Sequence, residues 1–287
     1  MSVVSSVPVP PPAAIVEADV DAALAEDLGP GDATAELLPD VPAQAWVVAK
    51  ESGVIAGRPW FDACFRRLDP DVRLDWRVAE GDAVSPGTVL VVIAGRTRAL
   101  VSAERPALNF LQTLSATATR TAEHVAALAG TRTRVLDTRK TLPGLRHAQK
   151  YAVRAGGGCN HRMGLYDAVM LKENHIHAAG SIAAAAAAAK ARHPELPLVI
   201  EVETLGELDE ALATGCERIL VDDFSEADLR EAVRRADGKT PLEVSGGVTL
   251  ERLPAIGATG VDYVSIGALT KHVHALDLSL RLGTPPA

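Results

Sequence analysis

A block of cationic side chains interrupted by glycine turns lies in the middle of this 287-residue chain. From Arg132 to Lys172 there are nine Lys or Arg against two acidic residues, although the whole chain has a formal net charge of -8. A continuous basic run would be typical of a solvated tail or a nucleic-acid patch. These cations are instead scattered among glycines, an asparagine and histidines. Donors that converge in this way favour a small polyanion, such as a phosphate or a carboxylate.

Five residues of the block carry this prediction, because they stand near the turns Pro143-Gly144 and Gly156–Gly158, where the backbone can approach a ligand closely. These residues are Arg139, Lys140, His161, Arg162 and Lys172. For three further cations, an exposed helix face remains an equally open interpretation: Arg146, Lys150 and Arg154. Cys159 is a single cysteine beside glycines and is interpreted as a bystander.

Short apolar runs alternate with helical patterns from Arg134 onward, which predicts βα units and a parallel sheet. The runs are Val135–Leu136, Ala168–Leu171, Leu198–Ile200, Arg218–Val221, Leu242–Val244 and Val261–Ile266. The region is much shorter than the ~250 residues of a full βα barrel, so a reduced α/β barrel of about six strands is predicted.

Nearly every one of these runs is followed by charged residues or by a glycine turn. The residues concerned are Asp137, Arg139, Lys140, Lys172, Glu201, Glu203, Asp222, Asp223, Ser245–Gly247 and Gly267. Since the carboxyl ends of the strands form the active-site face of such barrels, we expect these side chains around one mouth.

The acids and the glycine turns indicate what this mouth binds. Glu201 and Asp222 either hold Mg²⁺ or accept hydrogen bonds from sugar hydroxyls. The turn Ser245–Val248, before a predicted helix Thr249–Ile256, and the turn Ser265–Thr270 offer backbone N–H groups to a phosphate. The expected ligand is a phosphorylated sugar together with a second acidic molecule.

The first half of the chain mixes helical and strand patterns, which predicts an α+β domain. Apolar residues at four-residue spacing predict a helix over Ile15–Leu28, which Gly29 and Gly31 would end. A second helix is predicted over Arg58–Leu68. Strands are predicted at Ala45–Ala49, Gly53–Gly57, Arg73–Val78 and the run that ends at Ile93.

A long helix is predicted to begin with a Ser102 cap, to carry Pro106 in its first turn and to close at Gly130. Arg105 would then lie in the first turn, where the helix macrodipole disfavours a cation. This placement indicates that Arg105 serves an anion.

Composition excludes several classes of protein. No apolar run approaches the ~20 residues of a membrane span. Residues 1–12 lack the positive start of a signal peptide and are predicted to be a disordered tail. The three cysteines show neither metal nor disulfide spacing, which predicts a reducing cytoplasm. The acidic balance of the whole chain argues against bulk nucleic-acid binding.

Seven motifs, in order over nearly the whole chain, resemble those of the quinolinate phosphoribosyltransferase family. They are Glu26-Asp-Leu-Gly-Pro-Gly-Asp-Ala-Thr34, Glu104-Arg-Pro-Ala-Leu-Asn-Phe-Leu-Gln112, Asp137-Thr-Arg-Lys-Thr-Leu-Pro-Gly-Leu-Arg146, Gly156-Gly-Gly-Cys-Asn-His-Arg162, Leu171-Lys-Glu-Asn-His175, Ser245-Gly-Gly247 and Ser265-Ile-Gly-Ala-Leu-Thr270. Each glycine turn alone is weak, but the combination is highly specific.

The resemblance implies an N-terminal α+β sandwich domain at residues 13–116, to which residues 275–287 return, and a reduced α/β barrel at 117–274. It implies that quinolinate and phosphoribosyl pyrophosphate react to nicotinate mononucleotide, pyrophosphate and CO₂ with Mg²⁺, in a homodimer. The quinolinate residues would be Arg105 from the partner subunit, Arg139, His161, Arg162 and Lys172. Those for the phosphoribosyl pyrophosphate and its metal would be Thr138, Lys140, Lys172, Glu201, Asp222, Ser245, Gly246, Gly247, Ile266, Gly267 and Ala268.

Two positions depart from the family pattern: Asp223 stands where Asn is frequent and Leu142 where Thr is common. The roles of Asp223 and of His147, His175 and His177 stay open. Alternative hypotheses are a transferase that uses nicotinate or a pyrimidine-type ring, a Schiff-base aldolase that uses Lys172, and a non-catalytic sensor of phosphorylated sugars.

Overall fold

The computed structural model describes residues 8–285, which separate into two compact units. The first unit comprises the chain up to Ala122, Thr141–Gly157 and the residues from Leu269, whereas the second comprises Glu123–Lys140 and Gly158–Ala268. Residues 1–7 of the predicted tail lie outside the described residues, and residues 8–12 form neither helix nor strand. The domain borders predicted at residues 116 and 274 stay predictions. Within residues 8–285, every helix is too short or too polar to cross a bilayer.

The helices and strands follow one another along the chain with short connections. The helices are α1 (Ala13–Leu28), α2 (Arg58–Leu68), α3 (Thr97–Ala127), α4 (Arg146–Ala155), α5 (Glu173–Ala179), α6 (Ile182–Arg192), α7 (Leu205–Ala213), α8 (Glu226–Ala236), α9 (Leu253–Gly257) and α10 (Ala268–Lys271). The strands are β1 (Pro42–Ala49), β2 (Gly53–Val54), β3 (Arg73–Trp76), β4 (Ala83–Val84), β5 (Val89–Arg96), β6 (Arg134–Leu136), β7 (Val169–Leu171), β8 (Leu198–Val202), β9 (Arg218–Asp222), β10 (Leu242–Ser245), β11 (Tyr263–Ser265) and β12 (Leu278–Leu282).

An antiparallel sheet organises the first unit, with strand order β12-β1-β5-β3. The last strand of the chain completes this sheet, because Ala45 pairs with Leu282 and Ala49 with Leu278. Large apolar side chains of α2 and β5 are buried in its core, among them Trp60, Phe61, Phe65, Leu90 and Ile93. The prediction of a separate α+β unit is confirmed.

The predicted start of the long helix is wrong. Helix α3 begins at Thr97, so Ser102 lies inside it, Pro106 is an interior proline and Arg105 is not in the first turn. The Ser102 hydroxyl contacts Asp32 Oδ2 at 2.7 Å instead of capping the helix. The macrodipole argument for Arg105 therefore fails. The apolar stripe explains the earlier start, because it continues back from Ala107 through fully buried residues at helical spacing, Ala103 and Leu100.

A parallel sheet organises the second unit, with strand order β6-β11-β10-β9-β8-β7. Each of the six predicted apolar runs forms one of these strands. A parallel bridge between Leu136 and Cys159 adds an extended segment beside β6. Helices connect the strands, so this unit is the predicted reduced, barrel-like α/β fold. Parallel pairing brings all six carboxyl ends to the same edge.

Glu80 is a buried carboxyl group in the first unit. It accepts hydrogen bonds from the backbone N–H groups of Gly57 at 3.0 Å and Arg58 at 2.6 Å. Burial outweighs these contacts and raises the pKa of Glu80 from 4.5 to about 7. Because the folded state holds this proton more tightly than the unfolded state, the stabilising contribution is complete below pH 4.5 and is lost as the pH rises through about 7.

The Glu80→Gln variant is expected to lose much of this pH dependence, because an amide keeps an acceptor oxygen but does not ionise. From pH 5 to pH 8, the free energy of unfolding of the wild-type first unit should fall by about 1–3 kcal/mol, and that of the variant by less. The three tryptophans, Trp46, Trp60 and Trp76, all belong to this unit, so urea unfolding followed by tryptophan fluorescence reports on it. Glu17→Gln, at an exposed position of α1, is the matched control. Equal pH slopes in all three proteins would contradict the assignment.

Candidate active site

A cavity of about 310 Å³ lies at the carboxyl edge of the parallel sheet in the second unit. It is lined by Thr138, Arg139, Lys140, His161, Arg162, Met170, Lys172, Glu201, Leu220, Glu243, Ser245 and Ser265. Each of the six strands contributes a side chain, either from the strand itself or from the residues that follow it. Of the strand-end residues expected around one mouth, Arg139, Lys140, Lys172, Glu201 and Ser245 line this cavity. The acidic residues Asp137, Glu203, Asp222 and Asp223 do not line it.

Eight of the predicted site residues line this cavity: Thr138, Arg139, Lys140, His161, Arg162, Lys172, Glu201 and Ser245. Six others belong to the same unit but do not line it: Asp222, Gly246, Gly247, Ile266, Gly267 and Ala268. Two of these six residues are glycines that lie directly beside a charged side chain of the predicted site. A Cβ at Gly267 would be 2.8 Å from Lys140 Cδ, and one at Gly246 would be 3.1 Å from Asp222 Oδ1. Arg105 belongs to the first unit, and its side chain is exposed.

Four lining residues were not predicted as side chains of the site: Met170, Leu220, Glu243 and Ser265, the last of which was predicted only as part of the Ser265–Thr270 turn. A simple signal finds three of them, because alternate residues of a strand face the same side. Met170 precedes Lys172 by two positions, Leu220 precedes Asp222 and Glu243 precedes Ser245. Each therefore lies one layer below a predicted residue. Counting back two residues from each predicted strand-end residue would have added these three residues to the predicted site.

The cationic side of the cavity is built by two arginines. Arg162 is held in place because its Nη1 donates to the carbonyl of Ala168 at 3.2 Å and its Nη2 lies 3.7 Å from Met170 Sδ. Partial burial, and then the positive charge of Arg139, lower the pKa of Arg162. Two guanidinium groups that repel each other at one cavity are stabilised when an anion binds between them. This arrangement favours a ligand with carboxylate or phosphate groups.

Lys172 and Glu201, which line the same cavity, form an ion pair. Lys172 directly follows β7 and Glu201 belongs to β8, so adjacent parallel strands bring the two side chains together. The Glu201 side chain is 15% exposed and the Lys172 side chain 46% exposed. A ligand that binds Lys172 through an anionic group would compete with Glu201 for this ammonium.

Asp137 fixes the segment that carries His161 and Arg162. It is fully buried directly after β6, and its carboxylate accepts from the His161 backbone N–H at 2.9 Å and from Asn160 Nδ2 at 2.5 Å. Its own backbone N–H donates to the carbonyl of Cys159. The role of Asp137 is therefore to hold the segment 159–161 beside β6.

The residues whose roles stayed open take local positions. His175 Nδ1 accepts a hydrogen bond from the backbone N–H of Lys172 at 3.1 Å, as part of the capping of α5. Asp223 has a left-handed backbone with φ of 56°. Within residues 8–285, no cluster of three or more His, Cys, Asp or Glu side chains forms a ready-made metal site.

The helix predicted at Thr249–Ile256 after the first glycine turn is not continuous, and the helix at the second glycine turn is short. The region 249–256 forms a 3₁₀ turn, Leu250–Arg252, and then α9 of five residues, whereas α10 has four residues. Pro254 near the start of α9 and the turn after it limit the helix length. A macrodipole of this length adds little, so the donors at these turns are individual backbone N–H groups.

The Gly246→Ala variant is expected to weaken binding of a phosphorylated ligand. Gly246 has φ of +80°, and a Cβ there would be 3.0 Å from the backbone nitrogen of Asp223. The strain of about 1–3 kcal/mol would shift the Ser245–Gly247 turn. Gly238→Ala is the matched control, because Gly238 has φ of +67° but open space around it. Calorimetric titration with phosphoribosyl pyrophosphate should show weaker binding for Gly246→Ala alone, and equal affinities in both variants would exclude crowding as the cause.

Comparison with known families adds to this geometry. The family model described as quinolinate phosphoribosyl transferase, C-terminal domain, matches residues 117–281, and the one described as its N-terminal domain matches residues 32–115. The chain belongs to the quinolinate phosphoribosyltransferase family. The cavity and all the residues that line it lie within the range matched by the C-terminal domain.

Individual members of the family are similar over almost the whole chain. A probable nicotinate-nucleotide pyrophosphorylase (carboxylating) of Synechocystis is 45% identical over 278 residues, which cover 95% of this chain and 94% of the relative. The nicotinate-nucleotide pyrophosphorylase (carboxylating) of Mycobacterium leprae is 44% identical over 82% of this chain and 85% of its own. The solved structure of the nicotinate-nucleotide pyrophosphorylase from Francisella tularensis superposes with a TM-score of 0.93 at 42% identity, covering 95% of this chain and 98% of that one.

Proposed function

We propose that this quinolinate phosphoribosyltransferase family member transfers the phosphoribosyl group of 5-phosphoribosyl 1-pyrophosphate to quinolinate with loss of CO₂. The products are nicotinate mononucleotide and pyrophosphate, in de novo NAD biosynthesis. The observation that carries the proposal is the convergence of Arg139 and Arg162 on one cavity, close enough for the charge of Arg139 to lower the pKa of Arg162. This pair suits a dianion such as quinolinate. The family, with relatives named for this reaction, excludes the sensor and aldolase hypotheses.

The quinolinate carboxylates are bound by Arg139, Arg162 and Lys172. Planar guanidinium groups bind carboxylates with two parallel hydrogen bonds, which fixes the orientation of the pyridine ring. Orientation is the main contribution here, because the ring nitrogen must approach the anomeric carbon of the ribose in line with the departing pyrophosphate.

The phosphoribosyl pyrophosphate is bound by Lys140, Glu201, Asp222 and the two glycine turns. Lys140 packs against Gly267, and Asp222 packs against Gly246, so each charged side chain adjoins one turn. Backbone N–H groups of the turns bind phosphate oxygens. Glu201, once Lys172 moves to a carboxylate of quinolinate, accepts hydrogen bonds from the ribose hydroxyls.

Magnesium fits this donor set as an ion that accompanies the substrate. Mg²⁺ is commonly held by one or two carboxylates together with substrate phosphates and water. Glu201 and Asp222 supply the carboxylates, directly or through water, whereas the described residues offer no larger cluster. The ion would neutralise charge on the pyrophosphate as it leaves.

The order of chemical events follows from these charges. Lys140 stabilises the negative charge of the leaving pyrophosphate while cationic character develops at the anomeric carbon. Glu201 and Asp222 support this cationic sugar. The ring nitrogen of quinolinate then forms the bond to the anomeric carbon and becomes positively charged. Its charge stabilises the electron pair that remains on the neighbouring ring carbon when the adjacent carboxylate departs as CO₂. A proton then replaces that carboxylate on the ring.

The enzyme is proposed to act as a homodimer to which Arg105 contributes across the interface. Mixing the Arg105→Ala and Arg162→Ala variants should then restore activity. In a mixed dimer one site carries both substitutions and the other carries neither, so an equal mixture should reach about a quarter of wild-type activity. Subunit exchange followed by the turnover assay measures this. Activity that stays at the mean of the two variants would show that each site uses its own Arg105.

The reaction is proposed to take place in the cytoplasm. All three cysteines, Cys64, Cys159 and Cys216, are free thiols, and Cys64 and Cys216 are buried. Proteins of oxidising compartments commonly contain disulfides, whereas free thiols are typical of a reducing one.

Release of labelled CO₂ from quinolinate tests the activity directly. The purified protein would be mixed with quinolinate, phosphoribosyl pyrophosphate and Mg²⁺, and each component would be omitted in turn. Release that needs both substrates, with nicotinate mononucleotide formed, supports the proposal. A parallel assay would replace quinolinate by nicotinate, which lacks one carboxylate and should not react. Nucleotide formation from nicotinate but not from quinolinate would favour the alternative transferase.

A further inference from the structure

Glu243 is a charged residue of the cavity wall that the proposed reaction does not use. It lies on β10, two positions before Ser245, and its side chain is fully buried. Its Oε2 lies 2.9 Å from Arg218 Nη1 and 3.3 Å from His161 Nε2. A buried carboxylate is costly unless it is paired, so this position between two basic side chains requires an explanation.

The His161 ring has a polar contact at each end: a hydrogen bond at Nδ1, and at Nε2 a 3.3 Å contact with Glu243 Oε2. Its Nδ1 accepts the backbone N–H of Arg162 at 2.6 Å, so Nδ1 carries no proton and the ring proton is on Nε2. That proton faces Glu243, and the His161 side chain is 8% exposed. The ring therefore connects the buried carboxylate to the backbone of Arg162 at the wall of the cavity. The direct quinolinate contact that the family resemblance implies for His161 stays a prediction.

Arg218 completes the charge balance on the other side of Glu243. It belongs to the amino-terminal end of β9, and its guanidinium stacks 4.6 Å from the ring centre of Tyr263 on β11. Burial would raise the pKa of Glu243, but the contacts with His161 and Arg218 hold it below its ordinary value. The carboxylate is thus ionised at neutral pH and balances Arg218, with His161 Nε2 3.3 Å away.

We propose that Glu243 is a positioning residue for the carboxylate-binding site. It holds His161 with its proton on Nε2, and His161 Nδ1 in turn fixes the backbone N–H of Arg162. Through this connection Glu243 sets the direction from which the Arg162 guanidinium faces the cavity. The inference rests on the proposed function, in which Arg162 binds a carboxylate of quinolinate.

Glu243→Gln tests this connection with little change in shape. A glutamine is uncharged and keeps one acceptor oxygen, which Arg218 and His161 would have to share, while its NH₂ group takes the place of the second carboxylate oxygen. If its NH₂ group faces Nε2, the ring proton moves to Nδ1 and the hydrogen bond from Arg162 is lost. We expect the KM for quinolinate to rise by about tenfold or more, since one charge-assisted contact is displaced. The KM for phosphoribosyl pyrophosphate should stay within about twofold, because its residues do not depend on this contact.

Nitrogen NMR supplies a readout that a loss of stability alone would not change. In protein labelled with [15N]histidine, the chemical shifts of the two ring nitrogens report which of them carries the proton. His161→Gln identifies the signals of His161 among those of the eight histidines. The wild-type ring is expected to be protonated on Nε2 and the Glu243→Gln ring to be protonated on Nδ1 in a substantial fraction of molecules.

Two further variants complete the design. Arg218→Lys keeps a positive charge next to Glu243 and should retain the wild-type tautomer of His161. Glu231→Gln removes the charge of a partly exposed residue of α8 that pairs with Arg234 and Arg235 in the same unit, and it should leave both KM values unchanged.

The outcomes separate this proposal from the proposed reaction. A wild-type His161 protonated on Nδ1 would overturn the positioning role, even if Glu243→Gln failed to fold. An equal rise of both KM values in Glu243→Gln would also overturn it. A wild-type protein that shows the expected tautomer but releases no CO₂ from quinolinate would refute the reaction and leave the connection among Glu243, His161 and Arg162 standing.

Discussion

The Lys172→Met variant should lose about 10²–10⁴-fold in kcat/KM for quinolinate. A charge-assisted hydrogen bond to a carboxylate contributes about 1.5–3 kcal/mol, and a partly buried charge left without its partner costs a further 1–3 kcal/mol. Both losses apply here, because Lys172 pairs with Glu201 in the free protein and is proposed to bind a carboxylate of quinolinate. Without the ammonium, the Glu201 carboxylate faces an incoming dianion and repels it. Steady-state kinetics with quinolinate varied measures the effect.

The double variant Lys172→Met/Glu201→Gln tests the repulsion specifically. Removing the Glu201 charge should restore part of the quinolinate affinity lost in Lys172→Met, with a coupling of about 0.5–3 kcal/mol between the two positions. Calorimetric titration with quinolinate measures affinity without turnover, which matters because Glu201 is also proposed to contact the sugar. Lys239→Met, which removes an exposed pair with Asp237 in the same unit, is the matched control. Independent, additive losses would contradict competition between Glu201 and the substrate for Lys172.

Replacing Arg139 or Arg162 by alanine is expected to lower kcat/KM for quinolinate by about 10–150-fold, equivalent to about 1.5–3 kcal/mol of charge-assisted binding for each arginine. The two losses should not add in the double variant. Each arginine repels the other in the free protein, so removing one relieves a cost that the other imposes. The measurement is a double-mutant cycle in kcat/KM, with phosphoribosyl pyrophosphate saturating.

Two further substitutions distinguish geometry from charge at this site. Arg139→Lys keeps the charge but loses the planar pair of donors, so it should recover only part of the loss of Arg139→Ala. Arg230→Ala, at an exposed ion pair of α8, should leave the kinetics unchanged. Turnover at the wild-type rate in both Arg139→Ala and Arg162→Ala would contradict the assignment of quinolinate to this cavity.

The helix α3 shows why an element border was predicted less well than its existence. Ser102 followed by Pro106 has the composition of a helix start, but the helix begins at Thr97 because Leu100 and Ala103 are buried in the core of the first unit. Tertiary burial outweighs a local capping preference of about 1 kcal/mol. The position of Arg105 in its helix was therefore misjudged, although the residue itself was correctly placed within a helix.

The sequence by itself determined the parallel α/β unit and most of the cavity wall. Six apolar runs that alternate with helices must pair in parallel, and parallel pairing places every strand end at the same edge. Thr138, Lys172, Glu201 and Ser245 could be predicted because they stand at or next to those ends.

Only the tertiary structure decided which of these residues pair with one another. The register between β7 and β8 brings Lys172 to Glu201, and the fold places Glu243 between Arg218 of one strand and His161 of a distant loop. The physical reason is that a linear spacing specifies which face a side chain occupies, whereas burial and pairing energies depend on neighbours that are remote in sequence. A carboxylate in the middle of a strand was thus overlooked in the sequence, although in the folded chain it lies directly beneath the carboxylate-binding site.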